Sequence, residues 1–209
     1  MGILTQLYKS LFGRKYQEVW RKFAEDNNGT FVLAKDGNQD SVEIFYQDFK
    51  ITFDTYTHII VVGSSSREDE YTRVKVDMLL ADNLKFKLFR QGFIDSIGKL
   101  FGAQDIVIGD EEFDKAFLIK GNNEYKIQRL FSNPILRNLI LSQKDILLEI
   151  SDTVGIFDEK IEEGNSLLYF ISEEKIKSIE QLNILYRLFT ELLNQLIKVN
   201  SAKPIKASK

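Results

Sequence analysis

The chain has 209 residues, no cysteine and a formal net charge of −3 from 28 basic and 31 acidic residues. This balance argues against nucleic-acid binding, because Lys and Arg neutralise phosphates and the chain has no basic excess. The absence of cysteine excludes disulfides, thiol catalysis and cysteine-ligated metal centres. An apolar fraction of 44% with 12% aromatic residues predicts a globular protein with a bulky core.

The sequence before residue 30 predicts two helices. On one face of residues 3–12 the apolar side chains recur at helical spacing, and they are Ile3, Leu4, Leu7, Tyr8, Leu11 and Phe12. We expect Gly13 to end this helix. A second helix follows with Tyr16, Trp20 and Phe23 on its apolar stripe, and the Asn-Asn-Gly sequence at 27–29 ends it.

The apolar face of the first helix has two interpretations. It packs on the protein's own sheet, or it lies in a membrane interface with Lys9, Arg14 and Lys15 beside it. No apolar run approaches the ~20 residues that cross a bilayer. Residues 1–14 also lack the apolar region and cleavage site of a secretory signal. We therefore expect a cytoplasmic protein, with peripheral contact at the inner membrane face as the alternative.

From residue 30 to residue 90 the apolar period changes to two, which is typical of strands. The alternating or apolar segments lie at 42–46, 49–53, 59–62, 73–78 and 84–89, with turns at 36–38, 63–66 and 81–83. Short loops between consecutive strands predict an antiparallel meander of about five or six strands.

The second half alternates helices and strands. We predict helices over 93–101, Glu124–Phe131 and 134–142, strands over 145–151, 155–159 and Ser166–Ser172, and a long helix over 176–199. The apolar arc of the long helix is wider than a coiled-coil seam, so it favours packing on a sheet, with a homodimer seam as the alternative.

These elements predict the α+β fold class: an antiparallel meander with N-terminal helices, a mixed α/β second half and a long C-terminal helix on a sheet. Residues 1–90 and 91–199 form either two units or one continuous domain. We expect residues 200–209 to be a disordered tail.

The densest pattern lies at residues 104–122, here called the signature segment. It predicts a strand, a capped helical turn and a second strand, in which Asp110 caps the helix and Phe113 and Phe117 point inward. An EF-hand loop starting at Asp110 would require Gly and Glu where the chain has Lys115 and Gly121. The residues to which we assign a structural role are Asp105, Gly109, Asp110, Phe113, Asp114, Phe117 and Gly121.

No catalytic or cofactor motif accompanies this pattern. His58 is the only histidine, and it lies at a predicted strand start without a G-x-S-x-G sequence elsewhere. The Gly-Ser-Ser-Ser sequence at 63–66 leads into acidic residues and a strand, so it predicts a hairpin tip and not a phosphate loop. We therefore expect a non-enzyme without cofactor or metal.

The chain resembles a family of uncharacterised bacterial proteins, a domain of unknown function. The resemblance is strongest over roughly residues 70–145 and rests on the sequence Gly-Ala-Gln-Asp-Ile-Val-Ile-Gly-Asp-Glu-Glu-Phe-Asp-Lys-Ala-Phe-Leu-Ile-Lys-Gly-Asn at 102–122. It implies a bacterial protein without catalytic machinery, and it supplies no catalytic residues to carry over.

The function that these observations favour is a non-enzymatic binding or scaffold protein, with a protein partner or a second copy of the chain. One alternative is an apolar small-molecule or lipid-binding protein, with a cavity lined by Phe49, Phe53, Phe86 and Phe89 under the sheet. The other alternative is the peripheral membrane protein described above.

Overall fold

The computed structural model describes residues 3–34, 39–63, 65–90, 104–144, 146–152 and 161–205. In these ranges the chain is an α+β protein with five helices and ten strands. The helices are α1 (Ile3–Asp26), α2 (Glu111–Ala116), α3 (Glu124–Phe131), α4 (Pro134–Leu141) and α5 (Ile179–Lys198). The strands are β1 (Thr30–Val32), β2 (Ser41–Tyr46), β3 (Phe49–Val62), β4 (Ser65–Leu80), β5 (Phe86–Arg90), β6 (Gln104–Asp105), β7 (Phe117–Gly121), β8 (Ile146–Ser151), β9 (Ser166–Ser172) and β10 (Ala202–Pro204).

All ten strands belong to one antiparallel sheet in the order β1-β2-β3-β4-β9-β8-β5-β7-β6, and β10 pairs with β4. The predicted meander is correct in the antiparallel order β2-β3-β4, although the strands predicted at 49–53 and 59–62 are one strand, β3. It is wrong at β5, because β9 and β8 lie between β4 and β5. Alternation in the sequence identifies a strand but does not identify its neighbours. The sheet contains strands from both halves of the chain.

The two faces of the sheet differ in what covers them. The inner face packs against the helices, and its buried side chains include Phe53, Val76, Phe86 and Phe170. The outer face has a smaller apolar cluster formed by Phe89, Leu147, Leu167, Tyr169 and Ile171. Cross-strand pairs such as Val74 with Phe170 and Leu148 with Phe170 keep each strand's alternation in register across the sheet.

The long C-terminal helix lies on the inner face. Ser178 caps α5 by accepting a hydrogen bond from the N–H of Gln181, and the buried stripe of the helix includes Leu182, Phe189 and Leu196. Phe189 packs edge-on against Phe170 of β9, with ring centroids 6.2 Å apart. Packing on the sheet, the preferred interpretation of this helix, is confirmed.

The N-terminal helix is longer than the sequence indicates. We expected Gly13 to end a first helix, but α1 is continuous from Ile3 to Asp26. A single Gly costs only about 1 kcal/mol inside a helix, so the strong apolar stripe that follows it prevails. The helix ends where predicted, because Asn28 adopts φ +53° and the N–H of Gly29 bonds to the carbonyl of Ala24 at 2.8 Å.

Part of the expected tail is folded. Residues 202–204 form β10 on the edge of β4, and Ser201 is fully buried. The short segment Ala-Lys-Pro has no alternation long enough to predict a strand. Its pairing follows from the turn at Asn200, with φ +55°, which directs the chain back along β4.

Two predicted elements, the helix at 93–101 and the strand at 155–159, lie outside the described residues. The side chains of residues 3–14 lie outside them as well. Among the described helices, none combines the length and the apolar character that crossing a membrane requires.

Candidate binding surface

The signature segment folds around a short helix that begins at a capping carboxylate. Asp110 accepts a hydrogen bond from the N–H of Phe113 at 3.1 Å and a second from Arg137 Nε at 2.9 Å. The Phe113 N–H holds the pKa of Asp110 below its ordinary value, and the Arg137 charge acts in the same direction. Asp110 therefore joins the start of α2 to α4.

Backbone constraints fix the turns on both sides of α2. The Asp114 carboxylate accepts hydrogen bonds from the N–H groups of Ile108 at 2.9 Å and Gly109 at 2.8 Å. Gly109 has φ +89°, a left-handed conformation that favours glycine. At Gly121 a Cβ atom would lie 2.8 Å from the carbonyl oxygen of Lys85, so only glycine fits there.

The remaining signature residues also have internal partners. Phe113 is fully buried, with its ring centroid 5.2 Å from that of Phe117 and 6.0 Å from that of Phe131. Asp105 of β6 pairs with Lys120 of β7 at 2.9 Å. These contacts give the segment a structural role and engage Asp105, Asp110 and Asp114 within the fold.

Charged side chains pair across the outer face of the sheet. Asp54 of β3 accepts two hydrogen bonds from Arg73 of β4, at 2.6 and 2.8 Å, and lies 2.7 Å from the Lys75 ammonium. Farther along the sheet, Lys87 of β5 lies 2.8 Å from Glu149 of β8. Asp54, Arg73 and Glu149 are buried, so each of these charges depends on its partner.

The longest strands of the sheet extend beyond their neighbours. Pairing of β2 with β3 ends at Asp54, and pairing of β9 with β4 ends at Thr72. Beyond these residues, the strand that pairs with 56–62 of β3 in the described structure is the segment 65–71 of β4. We call this two-stranded projection the β3–β4 ribbon, and at ~3.4 Å per residue it is roughly 24 Å long.

The base of the ribbon is bound to the rest of the fold. The Thr72 hydroxyl donates to the carbonyl of Glu174 and accepts from the N–H of Ile176, both at 2.8 Å. The carbonyl of Ile176 in turn accepts a hydrogen bond from Trp20 Nε1 at 2.9 Å. Because Trp20 is fully buried, this chain of contacts fixes the ribbon to α1.

A second set of contacts lies two residues further along β4, at Glu70. Lys175 pairs with Glu70 of β4 at 2.9 Å, and its ammonium lies 4.2 Å from the centre of the Tyr16 ring. Burial raises the pKa of the Tyr16 phenol, and the charges of Asp40 and Asp54 add to the effect. The Tyr16 phenol therefore remains neutral, and its ring contacts the Lys175 ammonium.

The distal part of the ribbon presents apolar side chains to solvent. Ile59 is 58% exposed and Val61 is 70% exposed, and both lie on the same face as the helices. The opposite face carries Tyr56, whose ring stacks on His58 at 6.4 Å. His58 is thus an exposed ribbon residue directly opposite Asp69. The predicted hairpin tip is confirmed, since Val62 pairs with Ser65.

A cleft of about 370 Å³ lies on the outer face near the other end of the sheet. It is lined by Phe45, Asp48, Lys50, Asp77, Glu162, Asn165 and Ile205. Its charged lining does not match the apolar cavity that an apolar ligand requires. Lys50 is paired with Glu43 at 3.2 Å, and Asn165 donates to Glu162 at 3.3 Å.

The four phenylalanines assigned to an apolar cavity do not share one side of the sheet. Phe49, Phe53 and Phe86 belong to the inner core, whereas Phe89 belongs to the outer cluster. The period of two places residues 86 and 89 on opposite faces, and all four rings are at most 2% exposed. That predicted cavity lining is wrong.

The remaining site predictions have different outcomes. Over the described ranges, no group of three or more His, Asp or Glu side chains is arranged to hold a metal ion. The apolar face of the first helix, formed by Ile3, Leu4, Leu7, Tyr8, Leu11 and Phe12, falls on side chains outside the described part of the molecule. Membrane contact through this face therefore stays a prediction.

Sequence reasoning missed the ribbon and the ion pairs at its base. One signal was present before the turn at Gly63, because β-branched and aromatic residues without Gly or Pro continue through 55–62, whereas 65–70 are serines and charged residues that do not favour strands. In the structure β3 has 14 residues and β4 has 16. Typical strands have about five or six residues, so these lengths indicate a projection. The register that brings Asp54 to Arg73 follows from the hairpin once its turn is placed.

Comparisons with protein-family models, with curated proteins and with solved structures found no match to the chain.

Proposed function

We propose that the protein is a non-enzymatic binding or scaffold protein that holds a protein partner on the β3–β4 ribbon. The observation that carries this proposal is the exposure of Ile59 and Val61, at 58% and 70%, on strands that extend beyond the sheet. Ile59 and Val61 are two positions apart in the strand and therefore lie next to each other on the same face, where they form one continuous apolar strip. Such a strip contributes to stability only when something covers it.

The anchoring of the ribbon supports the same proposal. Arg73, Asp54 and Thr72 lie at its base, and each is less than 10% exposed. A binding element that is held by buried contacts loses little conformational entropy when a partner docks. The ribbon has the rigidity of the sheet and the exposure of a loop, which is the combination that a docking element needs.

A photo-crosslinking experiment in the cells that make this protein tests the proposal. A photoreactive amino acid at position 61 is compared with one at Ile184, a 39% exposed residue on α5. We expect one dominant crosslinked product from position 61, none of equal yield from position 184, and loss of that product when Ile59→Lys is added. Equal labelling from both positions, or labelling unaffected by Ile59→Lys, would contradict the proposal.

A further inference from the structure

The two edges of the β3–β4 ribbon have opposite chemistry. Residues 65–71 on the β4 edge include four charged residues, namely Arg67, Glu68, Asp69 and Glu70. Residues 56–62 on the β3 edge contain no Asp, Glu, Lys, Arg or Pro. Natural sheets protect exposed edges with charges, prolines or bulges, because an open edge presents unpaired N–H and C=O groups to any passing strand.

The β3 edge also lacks a bulge. The seven cross-strand pairs of the ribbon, from Tyr56 with Tyr71 to Val62 with Ser65, proceed one to one without a skipped residue. The edge is therefore regular, rich in β-branched residues and uncharged. At its distal part, residues 59–62, the strand that pairs with it among the residues that the structure describes is β4. These are the properties of a strand to which another strand is added.

We propose that the β3 edge of the ribbon pairs in antiparallel fashion with the same edge of a second copy of the chain. This inference rests on the proposed function of the ribbon and names its partner. Antiparallel pairing of identical segments is two-fold symmetric, so one interface satisfies both copies. With the two-fold axis at Ile60, Ile59 of one copy lies opposite the second copy's Val61, and the exposed strips of the two copies merge on one face.

The charges of the ribbon determine where the assembly stops. Pairing through the β3 edge brings uncharged residues together and joins two sheets. The β4 edge carries four charged residues, and charges on an edge strand are one of the means by which natural sheets prevent a further strand from pairing. Growth therefore ends at the dimer. The overlap covers about five residues per copy, which is a small interface, so the dimer forms in a concentration-dependent manner.

Sedimentation equilibrium of the full chain from about 1 to 500 µM tests the pairing with two matched variants. Val61 and Ser66 face each other across the ribbon, so Val61→Lys charges the β3 edge and Ser66→Lys charges the β4 edge at the same height. We expect a monomer–dimer equilibrium that Val61→Lys weakens by about ten-fold or more and Ser66→Lys leaves within about two-fold. Both side chains are exposed, and circular dichroism verifies that both variants fold.

Cysteine crosslinking tests the register independently, because the natural chain has no cysteine. In Ile60→Cys the two introduced thiols meet on the two-fold axis, and copper–phenanthroline oxidises them to an intermolecular disulfide. Arg67→Cys, at the residue directly opposite Ile60, is the control on the β4 edge. We expect rapid crosslinking of Ile60→Cys alone.

A chain that stays monomeric at all concentrations, or crosslinks equally from both positions, overturns the pairing of two copies. A crosslinked foreign protein at position 61 in cells, together with a monomeric purified chain, would retain the ribbon as a docking element and assign it a different partner. Failure of the inference is in this way distinguished from failure of the proposed function.

Discussion

The signature segment and the β3–β4 ribbon both consist of extended chain with tight turns, yet their side chains are used in opposite ways. In the signature segment Phe113 is fully buried, and Asp110 and Asp114 bond to neighbouring backbone N–H groups. In the ribbon Ile59 and Val61 lie in solvent. The difference shows that the most recognisable sequence pattern of the chain serves folding, whereas the ribbon exposes apolar side chains that the fold itself does not bury.

The largest effect that this comparison predicts is loss of stability from Phe113→Ala. Removing a fully buried ring that contacts Phe117 and Phe131 leaves a cavity, so we expect about 3–5 kcal/mol of destabilisation in urea unfolding. The control is Phe45→Ala, since Phe45 is 69% exposed, and it should change stability by less than about 0.5 kcal/mol. Similar losses from the two variants would contradict the structural role of the signature segment.

That prediction depends on a region that the sequence specified well. Local signals fixed its elements, because helix caps such as Asp110 and Asn133 act within four residues and leave a direct trace in the sequence. The helix Glu124–Phe131 and the strand Ser166–Ser172 have the bounds that were predicted. The fold class could be predicted for the same reason.

Long-range pairing could not be predicted in this way. The insertion of β9 and β8 between β4 and β5 depends on which strands pair with each other, and the alternation of apolar residues carries no information about pairing. The pairing of Lys87 with Glu149 spans two strands that are distant in sequence, so neither residue indicated the other. The candidate binding surface was missed because it is defined by where neighbouring strands stop, which is a property of the assembled sheet.

The next largest effect on stability is expected at the base of the ribbon, where the buried part of the sheet meets the exposed ribbon. Arg73→Met removes the bidentate partner of the buried Asp54, and Lys75 remains at 2.7 Å, so we expect about 3 kcal/mol of destabilisation. The control is Arg67→Met on the same strand. Arg67 pairs with Asp69 at 2.7 Å, but its side chain is 75% exposed, so solvent screens the pair and the loss of stability should be much smaller than for Arg73→Met. Equal losses would show that the ribbon base is no better packed than its tip.

Acid should weaken the signature region through Asp110. A carboxyl whose pKa is lowered in the folded state stabilises the fold above its unfolded pKa, near 4, and this contribution is lost as the pH falls toward the folded value. We therefore expect the unfolding free energy to decrease as the pH falls below about 5, and less steeply in Asp110→Asn.

Asparagine is a suitable replacement for Asp110 because it also caps helices, so the variant removes the charge and keeps the hydrogen bond to Phe113. The measurement is urea unfolding at a series of pH values. Parallel curves for Asp110→Asn and the natural chain would show that the contact with Arg137 makes no contribution to acid sensitivity.

The smallest effect on folding is expected in the ribbon, where it coincides with the largest effect on assembly. The double variant Ile59→Thr, Val61→Thr keeps β-branched side chains on exposed positions, so the monomer should change by less than about 0.5 kcal/mol. If the ribbon pairs two copies, the thermal midpoint of the natural chain rises with protein concentration by mass action, whereas that of the variant stays constant. Thermal midpoints that are independent of concentration in both proteins would contradict the pairing of two copies. The exposed apolar strip would then be assigned to a partner of different sequence.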